Sequence, residues 1–434
     1  MLWFLYNTAF TFFFIAALPH YLWRMRRRGG YRKDFLQRVA IYRPEVRAAL
    51  EEGGRLWLHA VSVGEIYVAF SLMEELRQRM PGARFLLSTT TSTAHAIARK
   101  RVAAPDLLIY FPLDLPLIQR RLFRLARPRL LALIECELWP NLIRQAQDFH
   151  VPLFLVNGRL SPSSFRGYRR LCFLTRRLLP GFEKLFVQTA ADAARMIELG
   201  APSERVRVMG SAKYEMPTDP QAAVERAQSA LRAAGFSESD RFWIAASTWP
   251  GEESIALDIH REVRRGRPNL KLLIAPRHVE RADEILDEIR ARGLSVARRT
   301  ESSVEPRPEV SGAAPDVFLL DTTGELKDFY AVAEVVFIGK SLTEHGGQNP
   351  IEPAALGRAV VVGPHMENFA VVVEELRQAG GLVEVHNAEE WKHALIRLLD
   401  DPEERAALGR RAEALVGRKA GALRRTADEI VSSL

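Results

Sequence analysis

Short apolar runs alternate with amphipathic helical segments along the chain from Arg55 onward. The runs are continuous in hydrophobic residues, as strands are when a sheet is buried on both faces. Parallel strands need a crossover connection, usually a helix, so this alternation predicts parallel sheets covered by helices. We expect strands at residues 56–60, 85–88, 107–110, 130–134, 153–156, 185–188, 206–209, 243–246, 270–275, 317–321, 335–338 and 359–362.

A proline-containing break at 216–220 divides the strands into two series. A chain of 434 residues with 47% hydrophobic residues can build two full cores. We therefore predict an α/β protein with two Rossmann-like, doubly wound domains, at 25–216 and 217–416, facing an interdomain cleft at the carboxyl ends of their strands. Residues 417–434 are expected to form a C-terminal helix that packs back on the first domain, and 301–315 an exposed loop.

The N-terminus carries an uncharged apolar stretch over residues 1–23, followed by an arginine-rich segment. As a helix it would be roughly 34 Å long, enough to cross a bilayer core. The positive charge follows the apolar run, which is the reverse of a secretory signal. The pattern predicts a membrane-anchor helix at 1–24 with the rest of the chain in the cytoplasm. A buried helix of the soluble body is the alternative.

The net charge of +8 indicates an anionic surface or ligand, and we expect no nucleic acid as a partner. Arginines interleaved with apolar residues suit a bilayer surface or a phosphorylated lipid, although a solvated helix face has the same pattern. The two cysteines have neither metal-ligand spacing nor a disulfide framework. The arginines in question are Arg120, Arg121, Arg124, Arg127, Arg129, Arg166, Arg169, Arg170, Arg176 and Arg177.

Polar residues follow the first two predicted strands. Ser62 and Gly64 precede Glu65 at the start of a helix, where Gly64 would permit a tight turn. A carboxylate there can act as a general base toward a substrate hydroxyl, or it can simply complement the helix dipole. Thr89 and Thr90 end the second strand and offer hydroxyls at the same edge, or an ordinary helix cap.

Two further strands of the first series end in charged residues. Glu135 and Glu137 lie two residues apart, so they point the same way from an extended chain, and Trp139 follows them. Acids at a strand end are costly to desolvate, which favours a functional role for the pair. Arg159 ends the next strand and can bind a carboxylate or a phosphate.

The second series repeats this arrangement. Ser247 follows one strand, and Arg277 with His278 follows the next, where the guanidinium can pair with a phosphate. Gly324 and Glu325 belong to a Thr/Gly turn that opens a helix. Several strand ends offering donors to one edge predict an anion site, although no Walker sequence, zinc spacing or Rossmann glycine fingerprint is present.

The stretch Gly346-Gly347-Gln348-Asn349-Pro350-Ile351-Glu352-Pro353 connects an apolar strand to a helix. A glycine turn before a helix start presents free N–H groups and a positive dipole end, which suits a phosphate. Glu352 in the first helical turn can accept hydrogen bonds from ribose hydroxyls. An ordinary turn is the alternative interpretation.

In their order along the chain, these motifs resemble the 3-deoxy-D-manno-octulosonic acid (Kdo) transferases of lipopolysaccharide synthesis. The resemblance covers almost the whole chain. It implies a GT-B fold and inverting transfer of Kdo from CMP-Kdo to a lipid A precursor at the cytoplasmic face of the inner membrane, without a metal or other cofactor. The motifs are Ser62-Val63-Gly64-Glu65, Glu135-Cys136-Glu137-Leu138-Trp139-Pro140-Asn141, Asn157-Gly158-Arg159-Leu160-Ser161, Pro276-Arg277-His278 and the stretch from Gly346 to Pro353.

The resemblance also assigns roles to individual residues. Glu65 matches the general base, and Glu135 matches a second acid needed for activity. From their places at the strand ends of the first series, we also expect Ser62, Gly64, Thr89, Thr90 and Arg159 on the acceptor side. Arg277, Gly324, Asn349 and Glu352 match the side of the cytidine nucleotide. We expect the same side to include Ser247, His278, Glu325 and Lys340, which follow strands of the second series.

The chain departs from the family pattern at two positions. Lys340 stands where many members have glycine, and Gln348 where many have histidine. The first departure concerns loop geometry and adds a possible phosphate contact, whereas the second keeps a hydrogen-bond donor.

Two rival functions remain open at this stage. A nucleotide-sugar epimerase can share the architecture, but its soluble substrate would not need an apolar N-terminus. A non-catalytic, membrane-attached homologue would not need both Glu65 and Glu135.

Overall fold

The computed structural model describes residues 6–8, 11–12, 16, 34–214, 220–302 and 314–434. Most of the predicted anchor at 1–24 lies outside these residues, as do most of the break at 216–220 and of the loop at 301–315. Within the described part of the chain, no helix combines the length and the apolar character needed to span a bilayer. The chain divides into two compact units, the first containing the described residues up to 214 together with Gly421–Leu434, the second those from 220 to Ala420.

The first unit is a seven-stranded parallel sheet with helices between its strands. Its order is β3-β2-β1-β4-β5-β6-β7, so the direction of winding reverses between β1 and β4. The strands are β1 Leu56–Ala60, β2 Phe85–Thr89, β3 Leu107–Tyr110, β4 Leu130–Ile134, β5 Leu153–Gly158, β6 Lys184–Val187 and β7 Val206–Val208. The helices are α1 Pro44–Glu51, α2 Val63–Arg79, α3 Ser92–Arg99, α4 Pro116–Ala126, α5 Pro140–Asp148, α6 Pro162–Arg170, α7 Cys172–Leu178 and α8 Ala190–Glu198.

The second unit repeats this architecture. Its seven parallel strands have the order β10-β11-β9-β8-β12-β13-β14, with the reversal between β8 and β12. The strands are β8 Arg241–Thr248, β9 Leu270–Pro276, β10 Val296–Arg298, β11 Val317–Leu319, β12 Ala333–Ile338, β13 Ala359–Val362 and β14 Leu382–Glu384. The helices are α9 Pro220–Ala233, α10 Glu252–Val263, α11 Ala282–Ala291, α12 Leu326–Phe329, α13 Ile351–Ala355, α14 Ala370–Gln378, α15 Ala388–Asp400 and α16 Pro402–Lys419.

Buried apolar side chains on the two faces of each sheet form the cores. All five residues of β1 and of β4 are buried, as expected for central strands covered on both faces. In the first unit, Trp57 and Leu131 belong to one core cluster, whereas Leu58 and Ala132 belong to the cluster on the other face. The alternation of side chains along a strand therefore builds both cores from the same short runs.

The last helix, α17 (Ala422–Ser432), belongs to the first unit although it ends the chain. Leu423, Ala427 and Ile430 are spaced at helical intervals and enter the core cluster that α2 also lines. Lys184 on β6 donates a hydrogen bond to Glu429. This face of α17 ties the chain terminus to the first sheet.

Every strand expected from the apolar runs is present, with ends displaced by at most two residues. The expectation missed two edge strands, β10 and β14. Each has only three residues and is largely half-buried, so neither produces the continuous apolar run that marks the central strands.

Candidate functional site

Three carboxylates lie at the carboxyl edge of the first sheet, where its winding reverses. Glu65 follows β1, and Glu135 and Glu137 follow the neighbouring strand β4. Arg159 follows β5, the next strand in the sheet, and Lys213 lies beyond β7. We call these five residues the acidic edge. Open parallel sheets bind ligands at such a reversal, because the loops on either side diverge there.

Glu65 is held by a capping box at the start of α2. The Ser62 hydroxyl accepts a hydrogen bond from the Glu65 N–H at 3.3 Å. In return, the two Glu65 carboxylate oxygens accept from the N–H groups of Val61 at 2.7 Å and Ser62 at 3.1 Å. Glu65 can therefore cap the helix and also act as a general base. An oxygen that accepts one hydrogen bond keeps a second lone pair. The Glu65 residue is 5% exposed, and two main-chain donors orient its carboxylate.

The neighbouring acids have raised pKa values. Burial raises the pKa of Glu135, and the like charge of Glu65 adds to this, while Lys213 and Arg159 oppose it. Burial and then Glu65 raise the pKa of Glu137 to about 7. Glu135 also holds a left-handed backbone with φ of 59°. Crowded acids and a strained backbone at one sheet edge are typical of a functional site.

Gly64 does not have the role that was expected of it. The helix already begins at Val63, and Gly64 has no positive φ. A Cβ placed there would meet only the Ser62 hydroxyl oxygen at 3.9 Å, which is an ordinary contact. The expectation of a glycine-dependent turn at Gly64 is therefore wrong, because the cap is formed by Ser62 and Glu65.

The two threonines differ in their contacts. The Thr89 hydroxyl lies 2.9 Å from Nδ1 of His95 on α3, within the buried interior. The Thr90 hydroxyl is buried and has no hydrogen-bond partner among the described residues. The Thr90 carbonyl accepts from Arg38 at 2.9 Å. Thr89 thus supports α3, whereas Thr90 keeps an unused hydroxyl.

The second unit contains a cavity of about 300 Å³ at the carboxyl ends of β8, β9, β11 and β12. We call it the second-unit cavity. Five of the eight residues expected on the nucleotide side line it: Ser247, Arg277, Gly324, Asn349 and Glu352. Thr322, Thr323 and Gln348, which belong to turns singled out in the sequence, line it too, whereas sequence reasoning did not assign Lys327 and Tyr330 to it.

Glu352 is fixed within this cavity by its own turn. The Asn349 side-chain amide donates to the Glu352 carboxylate at 3.1 Å, and its carbonyl oxygen accepts from the Ile351 N–H at 3.0 Å. Burial raises the pKa of Glu352, while the Asn349 hydrogen bond and the Lys327 charge oppose this. The arrangement presents an acceptor beside two cations, Arg277 and Lys327.

The other three expected residues do not line the cavity. His278 lies 3.1 Å from Glu280 and packs edge-on against Trp249. Glu325 forms an ion pair with Arg299 at 2.8 Å. The Lys340 ammonium lies 4.5 Å from the centre of the Trp249 ring.

The glycine pair before α13 does not offer free donors. The Gly346 N–H donates to the Glu367 carboxylate at 2.6 Å, and the Gly347 N–H donates to the Lys340 carbonyl at 2.8 Å. Both glycines have positive φ, and a Cβ on Gly347 would lie 2.3 Å from the Met366 sulfur. The expectation of a phosphate site on these N–H groups is wrong, because residues of the same unit already occupy them.

Among the described residues, one group has ligand atoms close enough to hold a metal: His345, His365 and Glu367, all within 4.8 Å of one another. His345 Nδ1 lies 2.9 Å from a Glu367 oxygen. These residues do not line the second-unit cavity.

The chain matches two family models. Residues 33–216 match the model described as 3-deoxy-D-manno-octulosonic-acid transferase (kdotransferase), and residues 312–415 match glycosyl transferases group 1. A solved glycosyltransferase from Rickettsia africae shares the fold, with a TM-score of 0.55 at 10% identity over 87% of this chain and 97% of that one. Two parallel-sheet α/β units of this kind have a GT-B-like glycosyltransferase fold.

Relatives of similar length define the family. The chain is 34% identical over 422 residues to a 3-deoxy-D-manno-octulosonic acid transferase of Bordetella pertussis, covering 94% of each chain. It is 31% identical over 399 residues to the transferase of that name from Haemophilus influenzae, covering 92% of this chain and 91% of the relative. The chain therefore belongs to the 3-deoxy-D-manno-octulosonic acid transferase family, a family of glycosyltransferase enzymes.

Proposed function

We propose that this Kdo transferase moves Kdo from CMP-Kdo to a hydroxyl of a lipid A precursor, with inversion at the anomeric carbon and Glu65 as the general base. The observation that carries the proposal is that the second-unit cavity gathers Ser247, Arg277, Asn349 and Glu352. Ser247, Arg277 and the turn with Asn349 and Glu352 follow three different strands and are far apart in sequence. A phosphate and a set of hydroxyls are the ligand groups that such a combination suits.

The cytidine monophosphate would bind in the second-unit cavity. Arg277 and Lys327 would neutralise the phosphate, and the Glu352 carboxylate would accept hydrogen bonds from the ribose hydroxyls. The Asn349 amide holds that carboxylate at 3.1 Å, so the acceptor is oriented before the ligand arrives. Cations beside the leaving phosphate stabilise the charge that it gains in the transition state.

The acceptor hydroxyl would be activated at the acidic edge. Its proton passes to a Glu65 oxygen while its oxygen forms a bond to the anomeric carbon of Kdo. The bond from that carbon to the phosphate oxygen breaks, and CMP leaves with the electron pair. The two backbone hydrogen bonds to Glu65 position the base, and Glu135 would orient the acceptor or the sugar.

The location at the cytoplasmic face of the inner membrane rests on the N-terminal sequence. The apolar residues 1–23 and the arginines after them would hold the chain at an anionic lipid surface. An acceptor with acyl chains requires an enzyme at that surface. We therefore propose a single N-terminal anchor and a catalytic body on the cytoplasmic side.

We also propose that transfer needs no metal ion. Arg277 and Lys327 line the second-unit cavity and can supply the positive charge that a leaving CMP requires. Dialysis of the enzyme against a chelator, followed by assay in the chelator, is expected to leave the rate unchanged. A rate that falls and returns on adding a divalent cation would contradict this.

The test is product analysis with the purified full-length chain, CMP-Kdo and a tetraacylated lipid A precursor. We expect the glycolipid to gain the mass of Kdo, with one CMP released for each unit added. Glu65→Gln should slow this gain by about 10²–10⁴ while CMP still binds. Release of CMP without any change in the mass of the lipid would refute the proposed acceptor.

A further inference from the structure

A second cavity, of about 460 Å³, lies in the first unit between residues 40–47 and helix α4. We call it the arginine cavity. Four arginines line it together with apolar side chains and the ring of Tyr42. Its lining residues are Ala40, Ile41, Tyr42, Arg47, Leu117, Arg120, Arg121, Arg124 and Leu125.

The positive charge of this cavity is not neutralised within the described chain. Arg47 pairs with Glu51 at 2.8 Å, but Arg120, Arg121 and Arg124 form no ion pair with a described carboxylate. Arg120 and Arg124 are four residues apart on α4, a spacing at which like charges repel. Helix α4 contains no acidic residue at all. Because these three neighbouring cations have no acidic partner among the described residues, a bound anionic ligand would stabilise them.

The Tyr42 hydroxyl is an independent sign of a ligand. The Tyr42 side chain is 9% exposed, and its hydroxyl is buried without a hydrogen-bond partner among the described residues. A buried hydroxyl of this kind costs free energy unless something bonds to it. A phosphate oxygen in the arginine cavity would accept this hydrogen bond.

Apolar side chains at the same cavity indicate what carries the anion. Leu117 is 80% exposed and Ile41 is 42% exposed, and both line the cavity. On α4, Leu117, Arg121 and Arg124 follow the i, i+4, i+7 spacing of one helix face. An amphiphile with a phosphorylated headgroup matches guanidinium groups beside exposed aliphatic side chains better than a small soluble anion does.

We propose that the arginine cavity binds a phosphate monoester on the sugar headgroup of the acceptor lipid, with Arg121, Arg124 and Tyr42 as its ligands. This inference rests on the proposed function, since it assumes a phosphorylated glycolipid acceptor. The cavity is then a specificity subsite, because it selects acceptors that carry the phosphate. The apolar residues Ile41 and Leu117 contact the lipid portion.

The test compares a tetraacylated, phosphorylated acceptor with the same lipid after phosphatase treatment, in detergent micelles with the full-length chain. Arg121→Gln/Arg124→Gln is expected to raise the KM for the phosphorylated acceptor about tenfold or more, with the KM for CMP-Kdo unchanged. The KM for the dephosphorylated acceptor should be high for the unaltered enzyme and no higher for the variant. Inorganic phosphate should raise the acceptor KM of the unaltered enzyme alone.

The matched control is Arg261→Gln/Arg410→Gln, which removes the same charge from exposed positions of the second unit. It should leave the acceptor KM unchanged. Tyr42→Phe is a second variant that keeps the ring. It should raise the KM for the phosphorylated acceptor a few-fold and melt no lower than the unaltered protein without ligand, because it removes an unpaired buried hydroxyl.

Each contrary outcome has a distinct meaning. An unchanged acceptor KM in both the arginine and the Tyr42 variants would show that the arginine cavity does not bind the acceptor phosphate. The proposed function would remain intact. Loss of binding to phosphatidylglycerol vesicles with an unchanged acceptor KM in micelles would also overturn the specificity subsite, since the cavity would then hold a membrane headgroup. Failure of the unaltered enzyme to modify either acceptor would instead overturn the proposed function.

Discussion

The buried carboxylate of Glu252, at the start of α10, accepts a hydrogen bond from the main-chain N–H of Ser341 at 3.0 Å. It also accepts from the N–H groups of Lys340 at 2.7 Å and Leu342 at 3.0 Å. A side chain that follows β8 thus holds the loop that leaves β12, the neighbouring strand. This loop continues into the turn that carries Asn349 and Glu352, so Glu252 supports part of the lining of the second-unit cavity.

Glu252→Gln is expected to destabilise the protein by about 2–4 kcal/mol, because an amide NH₂ would face main-chain donors in a buried site. The KM for CMP-Kdo should rise as the loop loosens. Chemical denaturation and steady-state kinetics measure the two effects. The control is Glu262→Gln on the same helix, where the half-exposed carboxylate pairs with Lys392 at 3.2 Å. This change should cost less than about 1 kcal/mol, and equal costs for the two variants would contradict the role given to Glu252.

Glu65→Gln separates the capping role of this residue from its proposed chemical role. Glutamine keeps one accepting oxygen, but its NH₂ group would face the N–H of Val61 or Ser62 in a buried site, so the free energy of unfolding should fall by about 1–2 kcal/mol. The kcat should fall by about 10²–10⁴, because the amide cannot accept the proton. Glu390→Gln is the matched control, since Glu390 caps α15 in the same way, accepting from the His386 N–H at 2.9 Å. A kcat for Glu65→Gln close to that of this control would exclude Glu65 as the base.

The pKa of about 7 for Glu137 predicts a pH-dependent stability. The folded state holds the proton more tightly than the unfolded chain, whose glutamates titrate near 4.5. The free energy of unfolding therefore falls as the pH rises from about 4.5 to 7, and the loss is complete above 7. Glu137→Gln removes this loss, and its stabilising effect should be about 1–2 kcal/mol larger at pH 8 than at pH 5.

Urea denaturation at the two pH values measures this difference. Glu74→Gln, at a side chain that is 65% exposed, is the control and should show little dependence on pH. A stabilisation of Glu137→Gln that is equal at pH 5 and pH 8 would show that the carboxyl is not held in its neutral form.

Lys340 has a left-handed backbone with φ of 56°, at a position where the resemblance to the family led us to expect glycine. The structure thus keeps the glycine conformation with a side chain present, at a cost of about 1 kcal/mol. The contact of the ammonium with Trp249 returns about 0.5–1 kcal/mol. Lys340→Gly should therefore change the stability by less than about 1 kcal/mol.

Lys340→Ala is the informative companion, because it loses the Trp249 contact and keeps the unfavourable φ. It should be less stable than Lys340→Gly by up to about 1 kcal/mol in thermal denaturation. An alanine variant more stable than the glycine variant would contradict the left-handed backbone at this position.

Much of the candidate site could be predicted because strand ends are readable from apolar runs. Once the strands at 56–60 and 130–134 are assigned, Glu65 and Glu135 must lie at one edge of the sheet. Lys213 and Lys327 could not be found in this way. Lys213 lies in a short 3-10 helix beyond β7, and Lys327 lies in the four-residue helix α12, and no apolar run marks either place. Only the fold brings them to the carboxylates at 135 and 352.

The apolar periodicity of the chain determined its two parallel sheets, and the ordered motifs determined its family, because both depend on residues that are close together in sequence. The tertiary structure alone decided which polar groups are already paired. Glu367 accepts a hydrogen bond from the Gly346 N–H, which is 21 residues away in sequence. Glu252 accepts one from the Ser341 N–H, which is 89 residues away. Hydrogen bonds of this kind depend on the packing of distant segments, which no local pattern records.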